Sequence, residues 1–268
     1  MESIIKPLSS QDIQCGLKSL GIMEGDLLLV HSSLSSLGWV IGGAQTAVDA
    51  LLEALGSEGT LVMPTHTSGN TDPKNWSNPP VPKDWWESIR ASMPAFDPSK
   101  TPSLAMGVIP ELFRSYPGVE RSSHPVCSFA AHGPLTKELI SDLPFQPEFG
   151  EGSILDRLRE KGAKVLLLGA DHGSNTTLHL SEHLADFSKK MIEEGSSMEV
   201  LGQRKWVRYK MLALDNDDFE EIGHAFAQAH LDQPDIFNET KIGAAQCEVF
   251  LMSSMVEFGR DWMSKNRS

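Results

Sequence analysis

Two kinds of apolar patterning take turns along this chain, helical spacing in some segments and short unbroken runs in others. Ser10 to Leu20 has apolar residues at helical spacing, with Ser9 or Ser10 placed to cap its start and Gly21 to stop it. Asp26 to Val30 (DLLLV), Gly59 to Met63 (GTLVM) and Lys164 to Leu168 (KVLLL) are the continuous apolar runs of central strands. Ala44 to Leu55 predicts a helix between the first two runs, and that order predicts a right-handed crossover onto a neighbouring parallel strand. Further helices are predicted at Met106–Arg114, Ser153–Glu160, Leu178–Lys190, from the acidic stretch DNDDFEE through Ala229, and at Met255–Trp262. Further strands are predicted at Ser128–Ala131, Arg204–Leu214 and Lys241–Phe250. Thr65 to Pro102, rich in Pro, Asn, Asp and Trp, predicts a long irregular loop with aromatic surface. The alternation as a whole is that of an α/β protein, a sheet covered by helices.

With 268 residues, 40% hydrophobic and 22% charged, the chain is long enough for a sizeable core, and one domain spanning 1–268 is expected. No internal repeat, low-complexity tract or linker breaks it. Met1 to Gly21 lacks an apolar leader segment, and runs such as Leu27–Val30 are too short to span a bilayer, so a cytoplasmic location without a membrane partner is expected. The three cysteines, Cys15, Cys127 and Cys247, are widely spaced without a CxxC pair. They read as buried small hydrophobes, neither a disulfide framework nor a thiolate zinc site. The formal charge of −13 argues against a nucleic-acid partner. Such a field attracts a polycation, although an acidic solvated surface is the commoner reason for it.

Two polar loops follow buried strands, at the place where open α/β sheets bind ligands. The first, HSSLSSLGWVIGG (31–43), brings hydroxyls and paired glycines to a helix start, which suits phosphate or pyrophosphate; a plain surface turn is the competing reading. It has neither GxGxxG nor GxxxxGK[ST]. The second, GADHGSNTTLHLSEH (169–183), places Glu182 and His183 one helical turn beyond His179, and an imidazole held by a carboxylate suits general-base work. Asn175, Thr176 and Thr177 are placed to cap that helix and to donate to a ligand. His179 and His183 also have the spacing of a metal pair, the basis of an alternative reading as a metal-dependent amidohydrolase. The metalloprotease motif, however, has Glu where this chain has Leu180, and no metal is expected. No GxSxG marks a serine nucleophile, and nothing local activates Cys127.

Together HSSLSSLGWVIGG (31–43), EGTLVMPTHT (58–67), TPSLAMG (101–107), RSSHPVCSFAAHG (121–133) and SNTTLHLSE (174–182) resemble, in family order, the aminoglycoside 3-N-acetyltransferases. The resemblance implies a single-domain α/β/α sandwich around a mixed, largely parallel sheet, acetyl-CoA as cosubstrate, and direct acetyl transfer to an amine. It implies that His31, Ser32, Ser33, Leu34 and Ser35, with Gly43, Met106, Arg121, Ser128 and Thr177, hold the coenzyme. His179 matches the family base, oriented by Asp215 (by spacing) or Glu182 (by helix geometry). The acceptor would be a small polycation, a 2-deoxystreptamine aminoglycoside acetylated at its 3-amino group, met by Asn175, Asp72 and Trp85, with Trp76 and Trp86 as further walls. The pattern departs at Gly173 and at Met211–Ala213, where relatives carry acids. A different small amine, or a non-catalytic coenzyme A-binding protein, are the alternative readings. A homodimer is compatible with the chain, which carries no readable mark of oligomerisation.

Overall fold

Leu27 to Val30 have no polar side chain to offer water, and the chain buries them on both faces of a sheet. The computed structural model describes residues 6–268; residues 1–5, the start of the segment read for a leader, lie outside the described residues. β1 (Leu27–Ser32) lies between β2 (Thr60–Pro64) and β5 (Lys164–Leu168), parallel to both, as the apolar runs predict. The other pairings correct the expectation of a largely parallel sheet. β4 (Phe129–His132) runs antiparallel to β2, and β3 (Glu120–Arg121) antiparallel to β4. On the far side β9 (Ala245–Leu251) is antiparallel to β5, and β8 (Phe237–Ile242) to β9. The order is β3-β4-β2-β1-β5-β9-β8. The physical reason is where each connection returns. The excursion after β2 comes back at the end it left, joining Thr65 N–H to the Ser128 carbonyl, and a tight turn at Gly243–Ala244 splits the predicted 241–250 strand into a hairpin.

Helices cover both faces, giving the expected three layers. On one face α1 (Ser10–Ser19), capped by Ser9 and Asp12 in a reciprocal box, packs with α2 (Ala44–Leu55) and, beyond the short α3 (Trp86–Ser92), α4 (Val108–Phe113). On the other lie α5 (Thr136–Ile140), α6 (Ile154–Glu160), α7 (Thr177–Leu184), α8 (Phe219–His230) and α9 (Met252–Asn266). Helix α3 interrupts the 65–102 loop, which otherwise holds three short 3-10 turns. Helix α7 stops at Leu184, short of the predicted Lys190, and the chain enters β6 (Met191–Val200), which the apolar pattern did not signal. β6 pairs with β7 (Gln203–Leu212) as a separate ribbon, turned at Leu201–Gly202 with positive φ at both positions, the form that matches strand twist. Cys127 and Cys247 are buried as expected, whereas Cys15 is exposed on the polar face of α1. Among the described residues no helix is long and apolar enough to cross a membrane.

Helices α7 and α9 approach so closely that a Cβ on Gly259 would meet Ser181 Oγ at 2.7 Å and Leu178 Cδ2 at 2.8 Å. Gly259→Ala therefore overpacks this contact and is expected to cost about 1–3 kcal/mol, lowering Tm by about 2–4 °C per kcal/mol. Calorimetric unfolding of the parent and variant checks it.

Candidate active site

β1 is the switch point of the sheet: β2 lies on one side and β5 on the other, and the chain diverges where these strands end. A cleft of about 1020 Å³ opens there, lined by His31 to Ser35 after β1, Pro64 and His66 after β2, and Gly173 to Thr176 with His179 after β5. The 31–43 loop is shorter than predicted, because β1 continues through Ser32. Its far end reaches Gly43, in positive φ, at the start of α2, which has no side-chain cap. The start of this 12-residue helix, with its positive dipole end, therefore lies at the edge of the cleft. Leu104, Met106 and Trp39 form apolar walls.

His179 is the most fully positioned polar group in the cleft. Its ring stacks on Phe149 (centroids 5.5 Å apart, planes at 9°) and leans on Phe219 at 4.9 Å. Nδ1 lies 2.9 Å from Glu182 Oε2. A carboxylate only accepts, so Nδ1–H donates to it and Nε2 keeps a lone pair. Glu182, 1% exposed, is satisfied at its other oxygen by Arg267 Nη1 at 2.7 Å and the Asp215 N–H at 3.0 Å. Arg267 is held in turn by Asp218 (Nε at 2.8 Å, Nη2 at 2.5 Å) and the Asp215 carbonyl. Between the two acids left open by the sequence, Glu182 therefore meets the imidazole through its side chain, and Asp215 enters through its backbone.

The other predicted residues divide into those in the cleft and those beneath or beside it. His31, Ser32, Ser33, Leu34, Ser35, Gly43, Met106 and Asn175 line it. Asn175 spends Oδ1 on the Thr177 N–H, and its amide reaches the His172 ring at 3.5 Å. Arg121 lies outside the lining: it donates to the Ser128 hydroxyl, the Thr65 and Thr101 carbonyls and the Thr67 hydroxyl, a brace that ties the 65–102 loop to β4. Ser128 and Thr177 are fully buried, Asp72 is paired with Arg90 at 2.6 Å, and Trp85 is exposed away from the cleft. Sequence reasoning did not single out His66 and Phe149, which line the cleft, nor Arg267 behind it, whereas Gly173 and Met211, named for their departure from the family pattern, both line it. His66 stands in the EGTLVMPTHT segment and was within reach; the others come from distant stretches with no local signal. His179 and His183 do not share a partner, since His183 turns toward Glu148 at 3.6 Å, and no group able to hold a metal ion forms among the described residues.

A family model described as aminoglycoside 3-N-acetyltransferase matches residues 29–264 of this chain. The chain belongs to that family. Among curated relatives of this acetyltransferase, the SPbeta prophage-derived aminoglycoside N(3')-acetyltransferase-like protein YokD of Bacillus subtilis is 42% identical, covering 100% of this chain and 97% of its own. Aminoglycoside N(3)-acetyltransferase IX of Micromonospora chalcea is 33% identical over 96% and 94%. The crystal structure of YokD superposes with a TM-score of 0.93, covering 99% and 97% of the two chains. AAC-IIIb in a binary complex with CoASH matches at 0.84 and 28% identity, covering 97% of each chain. AAC-VIa bound to sisomicin also matches at 0.84 and 28%, covering 98% of this chain and 100% of its own.

Electrostatics set the cleft floor apart from its rim. Burial, with the His172 and His179 imidazoles nearby, drives His31 down to about 3. Burial, with His179 and His31, takes His66 to about 3, and burial takes His124 to about 4. Each is neutral when folded at pH 6, whereas the unfolded chain begins to bind protons there near the ordinary value of 6.5. Stability is thus complete above about pH 6.5 and is lost as pH falls toward 3, by up to about 1.4 kcal/mol per pH unit for each group. Urea unfolding at about pH 7.5 and about pH 5 should give the lower midpoint at the acid value, and His31→Phe should narrow the difference, leaving the share of His66 and His124.

Proposed function

We propose that this chain transfers the acetyl group of acetyl-CoA directly to an amino group of an aminoglycoside, the 3-amino group of a 2-deoxystreptamine ring, with His179 as general base and Glu182 as the acid that orients it. The observation that carries this reading is the His179–Glu182 pair at 2.9 Å, facing a cleft that ends on an uncapped helix start. The uncapped turn of α2, with Ser33 and Ser35, suits the pyrophosphate, and the apolar walls suit pantetheine. An amine that is protonated near neutral pH must lose a proton to attack the thioester carbon. The lone pair of His179 Nε2 takes it, the new C–N bond forms, the C–S bond breaks, and the thiolate leaves to be protonated. A positioned base contributes about 10²–10⁴-fold, and alignment of both substrates adds the proximity term. The AAC-IIIb complex with CoASH and the AAC-VIa complex with sisomicin support the cosubstrate and the acceptor class by similarity. A cytoplasmic location, where acetyl-CoA is available, belongs to the same reading.

Release of free coenzyme A thiol from acetyl-CoA with a panel of aminoglycosides tests the proposal. His179→Ala is expected to lower kcat/KM by at least about two orders of magnitude while acetyl-CoA still raises Tm. Turnover by the variant within a few-fold of the parent would remove His179 from the role.

A further inference from the structure

Attack on a thioester puts negative charge on the acetyl oxygen, and the roles assigned above leave that charge without a donor. Two backbone donors at the strand ends are already engaged: Ser33 N–H bonds the Leu168 carbonyl, and Thr177 N–H bonds Asn175 Oδ1. The floor's other polar groups are hydroxyls, among them that of Ser32, buried without a partner, the Asn175 amide, and imidazoles, whose ring N–H is the stronger donor. His179 gives its N–H to Glu182 and keeps a lone pair for the proton. His172 is saturated, with Nε2 on Glu248 at 2.9 Å and Nδ1 facing the Asn175 amide. His66 is wedged between Phe129 at 5.1 Å and Phe149 at 5.4 Å, its two ring nitrogens buried without a hydrogen-bond partner.

His31 differs from His179 and His172 in having an unspent nitrogen, and from His66 in not being enclosed between two aromatic rings. It stands at the carboxyl end of β1, on the face shared with α7, its side chain 3% exposed and lining the cleft. Its Nε2 is buried without a hydrogen-bond partner. A buried polar nitrogen left unpaired costs about 1–3 kcal/mol, a cost offset when a ligand completes the bond. Its environment keeps the ring neutral, so it carries one N–H throughout the working pH range.

On the reading that this cleft is the acetyl-transfer site, we propose that His31 is a catalytic residue whose ring N–H donates to the carbonyl oxygen of the acetyl thioester and to the oxyanion that forms from it. The amine lone pair forms the C–N bond as the carbonyl π pair moves onto oxygen, where the His31 N–H meets it. The pair returns as the C–S bond breaks, and the proton passes through His179. This moves His31 from the general coenzyme-holding role implied by resemblance to the reacting carbon. Neutral His31 beside a basic His179 divides the two tasks between two imidazoles without either needing to be charged at the start.

The test compares the parent with His31→Phe, which keeps a planar ring and removes the donor, and with His31→Gln, which keeps a donor. Isotope-edited infrared spectra of acetyl-CoA labelled at the carbonyl carbon are expected to show the stretch lowered on binding to the parent and returned to its free frequency in His31→Phe. Thiol release should fall by about 10²–10³-fold in His31→Phe with acetyl-CoA affinity by calorimetry held within a few-fold, and recover in part in His31→Gln. The pH profile of kcat/KM should keep its shape in both, since His31 does not titrate there. A carbonyl band unmoved in the parent, or turnover by His31→Phe close to the parent's, overturns the proposal. The band is read without an acceptor, so it decides the role of His31 even if no aminoglycoside supports turnover, an outcome that would count against the acceptor alone. If His31→Phe does not fold, the parent band and His31→Gln still decide.

Discussion

Parallel pairing of β1 with both β2 and β5 is the constraint on which the rest of the molecule depends. Two strands that run beside a third in its own direction cannot be joined to it by tight turns, so each connection must leave the sheet and cross a face. The connections diverge at the carboxyl ends, and a cleft opens between them whatever the side chains are. Here it receives the end of β1, the start of α2 and the loop into α7. Antiparallel strands then close both flanks: β4 and β9 come back from long excursions at the ends where β2 and β5 were left, and β3 and β8 pair with them through short returns, which is why a sheet with a parallel centre is antiparallel toward both edges.

The second constraint is the buried charge of Glu182. A carboxylate that is 1% exposed persists as a charge only if both oxygens are occupied by donors. His179, Arg267 and the Asp215 N–H occupy them, and Asp218 anchors Arg267 from the start of α8. Helices α7, α8 and the end of α9 are thereby tied to one carboxyl group. The imidazole is fixed in tautomer by that group and in plane by Phe149 and Phe219, so its free nitrogen has one direction. The acidity of the chain as a whole plays no part in this: no carboxylate lines the cleft among the described residues, and the polar atoms of its floor are imidazole nitrogens, hydroxyls and amides.

Segment by segment, legibility followed how far the deciding interaction lay along the chain. Helices α1 and α2 and strands β1, β2 and β5 were read within a residue or two, because caps, glycine stops and unbroken apolar runs are local properties. β6 escaped because MIEEGSSMEV carries little apolar contrast; it is held as a strand by its ladder with β7. Helix α7 was drawn too long because nothing local stops it at Leu184; Ala185 turns extended instead, and Asp186 N–H is taken by Ser264 of α9.

The sequence by itself determined an α/β protein of this family, two polar loops at strand ends, and His179 with a carboxylate one turn away, since each rests on spacing within a single element. Only the tertiary structure decided that Glu182 rather than the Asp215 side chain meets the imidazole, that Arg267 from the far end of the chain holds Glu182, and that Arg121 braces a loop outside the cleft. It alone brought His31, His66 and His179 to one floor. Those outcomes depend on which side chains exhaust one another's hydrogen bonds in a region closed to water, and that is settled by packing between segments up to about the full length of the chain apart.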